Sequence, residues 1–355
     1  MHTPPPLHGA SMVGQYIRDS VLVNESFECH YIKPSDAKSL AELKKLRLNK
    51  ITFLFSFHYR LIKLYRKVKP DLSYFTANSW GLSFYRDFIT VMILKLLRAK
   101  IVIHFHNKPN PSFRNKLVNR FLYRIFFKRI HVIFAAEQLV DTFRQYIDKE
   151  KIYICLNGIP VIVAEPVYKI PQPPRYSFLY ISHMMKEKGA WVLLEACALL
   201  KNRGYTFHCD FAGRWDDITQ ELFSKKIMEY GLTEFVQAHG FVDDKKNFLF
   251  TADAFVFPSL DEALPLILME AMECSLPCIS TNIGGIPTII RDEQSGFLVK
   301  PNDAAALAEK MIFLIEHPQQ SVEMGITGRK IFEEYFTIQK FENFFFNIIK
   351  DLVTI

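Results

Sequence analysis

Short apolar runs alternate with longer helical stretches along this chain, and they do so twice, on either side of a proline-rich connector. Before the connector, residues 27–32, 72–76, 100–105, 131–134 and 152–156 read as strands, separated by helical stretches that include 59–69, 82–98 and 113–128. After it, residues 177–181, 207–212, 235–239, 254–257, 278–280 and 297–299 read as strands, with helices at 190–202, 217–230, 265–273 and 304–316. Strands that are apolar on both faces need cover on both faces, and helices between consecutive strands supply it in a parallel sheet. The pattern predicts two doubly wound α/β domains, which bind ligands outside the carboxyl ends of their strands.

The connector spans 158–175 and holds Pro160, Pro166, Pro171, Pro173 and Pro174, five of the 18 prolines. Proline fixes φ and removes a donor, so this stretch should be extended. It divides the chain into a first domain over 1–157 and a second over 176–335. Residues 336–355 are expected to form a C-terminal helix, free to cross back to the first domain. The start departs from the pattern. Met1-His2-Thr3 leads into Pro4-Pro5-Pro6 and then a helix, so the first domain reads as lacking its first strand.

Composition narrows the function classes. Of 355 residues, 49% are hydrophobic and 23% charged, which excludes a disordered, collagenous or coiled-coil chain. Six cysteines form no disulfide framework, no signal peptide is read, and a reducing cytoplasm is the expected compartment. No apolar run approaches the roughly 18–20 residues of a membrane span. The net charge of +7 is uneven: residues 1–170 carry 27 Lys and Arg against 12 Asp and Glu, and residues 171–355 carry 17 against 25. The basic half should face something anionic: phosphate, nucleic acid or an acidic membrane surface. No nucleic-acid module is recognisable, so nucleic acid is not an expected partner.

Four segments carry chemistry. In Phe257-Pro258-Ser259-Leu260-Asp261-Glu262-Ala263-Leu264-Pro265, a strand ends, a loop presents Glu262 and a helix begins near Pro265. The free amides of that helix would suit a phosphate. Glu270 follows in an apolar run. A carboxylate there needs partners, either a ligand hydroxyl pair or backbone groups in the core. Ser182-His183-Met184-Met185-Lys186-Glu187-Lys188-Gly189 follows another strand. It presents Lys188 either to a diphosphate or simply to solvent. Along Ile101-Val102-Ile103-His104-Phe105-His106, alternation puts both histidines on one side, His104 in the core and His106 at the strand end. Gly284-Gly285-Ile286-Pro287-Thr288 allows close approach of backbone to a ligand, or is a plain tight turn. No His/Cys set has metal-ligand spacing.

Together these segments resemble the retaining glycosyltransferases of family 4, of the bacterial polysaccharide type, over nearly the whole chain. The matching elements are His8-Gly9-Ala10-Ser11, the strand ending at His106, Asn157-Gly158-Ile159, Lys188-Gly189, His239-Gly240-Phe241-Val242, and Glu262 with Glu270 eight positions on. The resemblance implies the GT-B fold, two Rossmann-like domains facing each other across a cleft. It also implies transfer of a sugar from a UDP- or GDP-linked donor as co-substrate, with no cofactor and no metal. By the same resemblance Glu270 binds the ribose, Glu262 the donor-sugar hydroxyls and Lys188 the diphosphate, with backbone amides around Leu266. Val242 meets the base, His106 approaches the reacting carbon, and Gly9 lets the first loop close on the phosphates. The leaving diphosphate would help to deprotonate the acceptor on the same face.

Three positions depart from the family pattern. Ser182-His183 stands where many relatives carry Gly-Arg, so His183 offers one neutral hydrogen bond in place of a charged fork. His8 replaces a glycine, and Thr288 stands where a glutamate is frequent. The basic first half fits a lipid-linked or polysaccharide acceptor and peripheral attachment to the inner face of an anionic membrane. Two stretches stand out, one from Lys44-Lys45-Leu46-Arg47 to Lys69. The other carries Arg114, Lys116, Arg120, Arg124, Lys128 and Arg129, interleaved with Phe113, Leu117, Phe121, Leu122, Phe126 and Phe127. The other reading of that helix buries its apolar face in the core. Two further readings of the whole chain stay open: a catalytically impaired GT-B scaffold that binds nucleotide or a partner, and a GT-B nucleotide-sugar epimerase.

Overall fold

A computed structural model describes residues 1, 3–4, 9–33, 48–108, 110–163 and 175–354. His8, the basic cluster at 44–47 and Pro166, Pro171, Pro173 and Pro174 lie outside the described residues. The chain divides into two compact units, Met1–Gly158 with Ile338–Ile355, and Ile159–Thr337.

In the first unit, helices α1 (Gly9–Asp19), α2 (Val21–Ser26) and α3 (Leu48–Val68) precede strand β1 (Ser73–Ala77). Helix α4 (Gly81–Leu96), β2 (Ile101–Phe105), α5 (Pro111–Arg114), α6 (Leu117–Phe127), β3 (His131–Phe134) and β4 (Ile152–Ile154) follow. The sheet runs β1-β2-β3-β4, parallel throughout. Every residue of β2 is buried, as a strand covered on both faces requires. One face packs through Val102 and Ile133 against Val13, Ile17 and Val23, and against Phe341, Phe345, Ile349 and Leu352 of α14 (Ile338–Thr354). The C-terminal helix is therefore part of the first unit's core. The opposite face is aromatic: Phe84, Tyr123, Phe126 and Phe127 are closely packed rings, and Phe105 stacks with Phe134 and Phe143.

Two expectations fail here. Residues 27–32 are not a strand, and among the described residues no strand precedes Ser73. Phe27 is extended (φ −133°, ψ 141°). The segment shares no ladder with β1, and residues 27–32 and Ser73, Tyr74 and Phe75 line the wall of one cavity of about 390 Å³. Strands must lie about 4.8 Å apart to share a ladder. The helix expected over 113–128 is broken. Lys116 adopts φ −62°, ψ 133°, and Asn119 Nδ2 donates to the Phe113 carbonyl at 2.7 Å, closing α5 before α6 begins.

In the second unit, β5 (Tyr176–Ile181), α7 (Ala190–Asn202), β6 (Phe207–Ala212), α8 (Gln220–Glu229), β7 (Val236–Gly240), α9 (Lys245–Thr251) and β8 (Ala254–Phe257) come first. They are followed by α10 (Leu266–Glu273), β9 (Cys278–Thr281), α11 (Ile286–Ile289), β10 (Gly296–Val299), α12 (Ala304–Glu316) and α13 (Pro318–Tyr335). The parallel sheet has the order β10-β9-β8-β5-β6-β7. Helix α8 starts three residues later than its apolar pattern, at a Thr219 cap whose hydroxyl accepts from Leu222 N. The Asp217 carboxylate is engaged elsewhere, accepting from Lys186 N at 3.0 Å. The start of the connector is fixed to this unit: Ile159 N donates to Phe336 O at 2.9 Å, and the buried Glu273 carboxylate accepts from Ile162 N and Val163 N.

Candidate functional site

Strand order reverses direction at β5. From β5 the chain winds outward to β6 and β7 on one side, while β8 pairs with β5 on the other. Open α/β sheets bind their ligands at the carboxyl ends of the strands at such a point. Lys188 stands in the loop after β5, and Glu262 in the loop after β8. Lys188 Nζ donates to Glu262 Oε1 at 2.5 Å.

These two loops are tied together through backbone. The Glu187 carbonyl accepts from Leu260 N at 2.8 Å and from Ser259 Oγ at 3.1 Å. Thr281 Oγ1 donates to the Ser259 carbonyl at 2.5 Å. From beneath, the buried Tyr180 hydroxyl reaches the carbonyls of Lys188 (3.3 Å) and His183 (3.4 Å). Gly189 completes the join. Its φ is +79°, and a Cβ there would lie 1.9 Å from the Pro258 carbonyl oxygen. Glu262 is held from its other side by Gly284 (φ +52°), where a Cβ would lie 2.0 Å from the Glu262 carbonyl oxygen. Gly285 N donates to Ala263 O at 2.6 Å. The glycine pair thus shapes the loop that presents Glu262, and Thr288 lies on α11 just beyond it.

Pro265 caps α10 from outside the first helical position, with φ −74° and ψ 122°, so the helix opens at Leu266. No side chain caps it, which leaves its first amides available to an anion. Glu270, on the same helix, has a partner that spacing gives no reason to suspect. Lys245 Nζ lies 2.8 Å and 2.6 Å from its two carboxylate oxygens. Lys245 is the first residue of α9, capped by the Asp244 carboxylate, three positions beyond Val242. Nearby, the Arg214 guanidinium lies over the Phe241 ring at 4.9 Å. Asp210 accepts from His208 Nε2 (3.0 Å) and His239 Nε2 (2.6 Å). Burial works to raise the Asp210 carboxyl, but the two imidazoles outweigh it and hold the group below its ordinary range.

Of the expected residues in this unit, His183, Lys188, Val242 and Glu262 stand in segments that follow its strands and Leu266 and Glu270 stand on α10, with Lys188 and Glu262 in direct contact. Sequence reasoning missed Lys245 and Arg214. His106 and Gly9 belong to the first unit. Gly9 is the first residue of α1. His106 directly follows β2, with its ring centroid 4.0 Å from that of His104. His104 is fully buried, and its Nδ1 lies 2.9 Å from the Tyr74 hydroxyl. Burial pushes the Tyr74 hydroxyl well up and the His104 imidazole well down, the latter with help from His106. Both groups are thus held neutral, and they share one hydrogen bond. Among the described residues, no group of three His, Cys, Asp or Glu side chains is placed to hold a metal ion.

Residues 168–331 match the family described as glycosyl transferases group 1. A protein named for colanic acid biosynthesis as a glycosyltransferase, WcaL of Escherichia coli (strain K12), is 30% identical over 233 residues, covering 61% of this chain and 56% of that protein. The amylovoran biosynthesis glycosyltransferase AmsK of Erwinia amylovora is 33% identical over 173 residues, covering 46% of this chain and 42% of that protein. The chain thus spans about half the length of the curated relatives it matches. Among solved structures, Anabaena Alr3699/HepE in complex with UDP has a TM-score of 0.70 at 18% identity, covering 84% of this chain and 82% of that one. A glycosyltransferase from Rickettsia africae ESF-5 has a TM-score of 0.69 at 20% identity, covering 90% and 86%. The fold is shared with these structures.

Proposed function

We propose that the chain, whose residues 168–331 match the glycosyl transferases group 1 family, is a retaining glycosyltransferase. It would move a sugar from a nucleotide-sugar donor to a lipid-linked or polysaccharide acceptor without a metal. One observation carries the reading: Lys188, Glu262 and the uncapped start of α10 converge where the strand order reverses. An ammonium and a row of backbone amides suit a diphosphate. Glu262 holds Lys188 in place and offers its remaining acceptor capacity to sugar hydroxyls. Glu270 takes the ribose diol, and Val242 meets the base. His183 supplies one hydrogen bond to the phosphates, and Gly9 leaves room for the loop before α1 to approach them. His106 serves the donor sugar near its reacting carbon.

In the step itself, the bond from the anomeric carbon to the phosphate oxygen breaks. The acceptor oxygen attacks from the same face, and its proton passes to the departing phosphate. Catalysis then rests on positioning and on stabilising the charge that builds on the leaving group. The relatives named above are named as glycosyltransferases of colanic acid and amylovoran biosynthesis, and the HepE structure holds UDP. Both support a nucleotide-sugar donor and a polysaccharide-type acceptor.

The acceptor side is assigned to the first unit and to an anionic membrane surface. No helix among the described residues is long and apolar enough to cross a membrane. On α6, however, Leu117, Val118 and Phe121 are 79%, 67% and 61% exposed, beside the exposed Lys116, Arg120 and Arg124. That pairing supports a reading of peripheral attachment at the inner face of the membrane. The donor assignment is tested by calorimetry with UDP and GDP. Lys188→Ala is expected to weaken the diphosphate that binds by on the order of 10- to 100-fold. Unchanged binding refutes the site.

A further inference from the structure

Glu270 is occupied in the free protein. The Lys245 ammonium bonds both of its oxygens, at 2.8 Å and 2.6 Å. An ammonium that touches both oxygens sits on the carboxylate edge that faces away from its stem. A vicinal diol that bridges the two oxygens, one hydrogen bond to each on the sides that face each other, uses that same edge. The lysine and the diol therefore compete for one position and cannot both hold it in full.

The two partners are unequally anchored. Glu270 stands on α10, whose Leu268, Met269, Ala271 and Met272 are buried in the core. Lys245 opens the seven-residue helix α9, and its side chain is 43% exposed against 23% for Glu270. An ion pair open to water on the lysine side contributes little, because water can take up the released ammonium. It can thus be exchanged at small cost, while the carboxylate stays where α10 puts it.

We propose that Lys245 is a built-in placeholder for the ribose hydroxyls, held by Glu270 in the free protein and exchanged for them when the donor binds. Lys245 is then a specificity residue: it sets how strongly the 2′- and 3′-hydroxyls count in choosing a nucleotide. This rests on the assignment of Glu270 to the ribose.

The test compares each nucleoside diphosphate, UDP and GDP, with its 2′,3′-dideoxy form by calorimetry, in the parent, Lys245→Met, Lys245→Arg and Glu270→Gln. Removing the competitor is expected to tighten the ribonucleotide by about fivefold, the scale of an exposed ion pair, and to leave the dideoxy form unchanged. Arginine, which clamps a carboxylate through two parallel bonds, is expected to weaken the ribonucleotide and again to leave the dideoxy form alone. Weaker ribonucleotide binding in Lys245→Met, or equal effects on both forms, overturns the placeholder. Glu270→Gln separates this from the underlying reading. If that variant prefers the ribonucleotide as strongly as the parent, or if the parent binds neither diphosphate, the ribose assignment itself is wrong.

Discussion

In the second unit, residues 185–189 and 258–262 are bonded to each other atom by atom. On the first unit, α6 leaves Leu117, Val118 and Phe121 largely exposed among the described residues. The second unit carries the acidic half of the sequence, yet it is where an anion is proposed to bind. The first carries the basic half and presents its charge as a surface. A few groups in fixed positions can bind a small anion against the overall sign of a domain. An extended surface attraction needs many charges and no fixed geometry. If that contrast is right, single substitutions should be severe in the loops of the second unit and mild on the helix of the first.

The largest effect is expected at Gly189→Ala. A methyl group 1.9 Å from the Pro258 carbonyl oxygen, on a residue at φ +79°, forces the two loops apart. A loss of about 3 kcal/mol or more in urea unfolding is expected, with donor binding abolished. Gly9→Ala is the control, since nothing lies within 4 Å of that Cβ position. Its stability should stay within about 0.5 kcal/mol of the parent. Equal losses at the two glycines would erase the contrast between tied and open regions.

The same contrast explains which features were legible in the sequence. The parallel α/β layout follows from apolar strands spaced by helices, and of the expected strands only 27–32 forms no ladder. That segment has a strand's alternation, but a ladder also needs a neighbour at the right distance, and the segment lines one cavity with β1 instead of pairing with it. Lys188, Glu262 and Glu270 were legible because each stands at a strand end or in an apolar run where a charge needs a reason. Lys245 was not, because a lysine in the first turn of a surface helix looks like any solvated charge. Only the fold brings it 25 positions along the chain to Glu270. The helix over 113–128 was read as either a membrane face or a core face. Its side chains divide, with Tyr123, Phe126 and Phe127 in the core and Leu117, Val118 and Phe121 exposed.

That outward face gives the next test. Replacing Leu117, Val118 and Phe121 together with serine removes apolar surface that is largely exposed. Stability should therefore stay within about 1 kcal/mol of the parent, while partitioning onto phosphatidylglycerol vesicles falls about tenfold. Arg120→Gln with Arg124→Gln should weaken the same partitioning and flatten its dependence on salt. Vesicle binding unchanged by both sets would remove the membrane from the first unit's role.

The smallest expected effect separates the two units by pH. His104 is held neutral by burial and then by His106, His58 by burial and then by Arg86, and His131 by burial and then by Lys100 and Lys151. All three lie in the first unit. In each case the imidazole sits below its ordinary range when folded, so the unfolded chain takes up the proton first. Stability from these groups is complete above about pH 6.5 and declines as the pH falls below it, by about 0.8 kcal/mol at pH 6 for a fully buried imidazole. In the second unit, the Asp210 carboxyl is also held below its ordinary range, which for an acid favours the charged form, so it stays ionised through this window. Hydrogen exchange at pH 6 and 7.5, corrected for intrinsic rates, should therefore show faster opening at Ile103 and Phe134 at the lower pH, with Phe178 and Phe255 unmoved. His104→Gln should remove part of the difference by replacing a titrating group with a neutral one. Parallel acceleration in both sheets would mean that acid acts on the chain as a whole, and that the histidines of the first unit do not set its stability below neutrality.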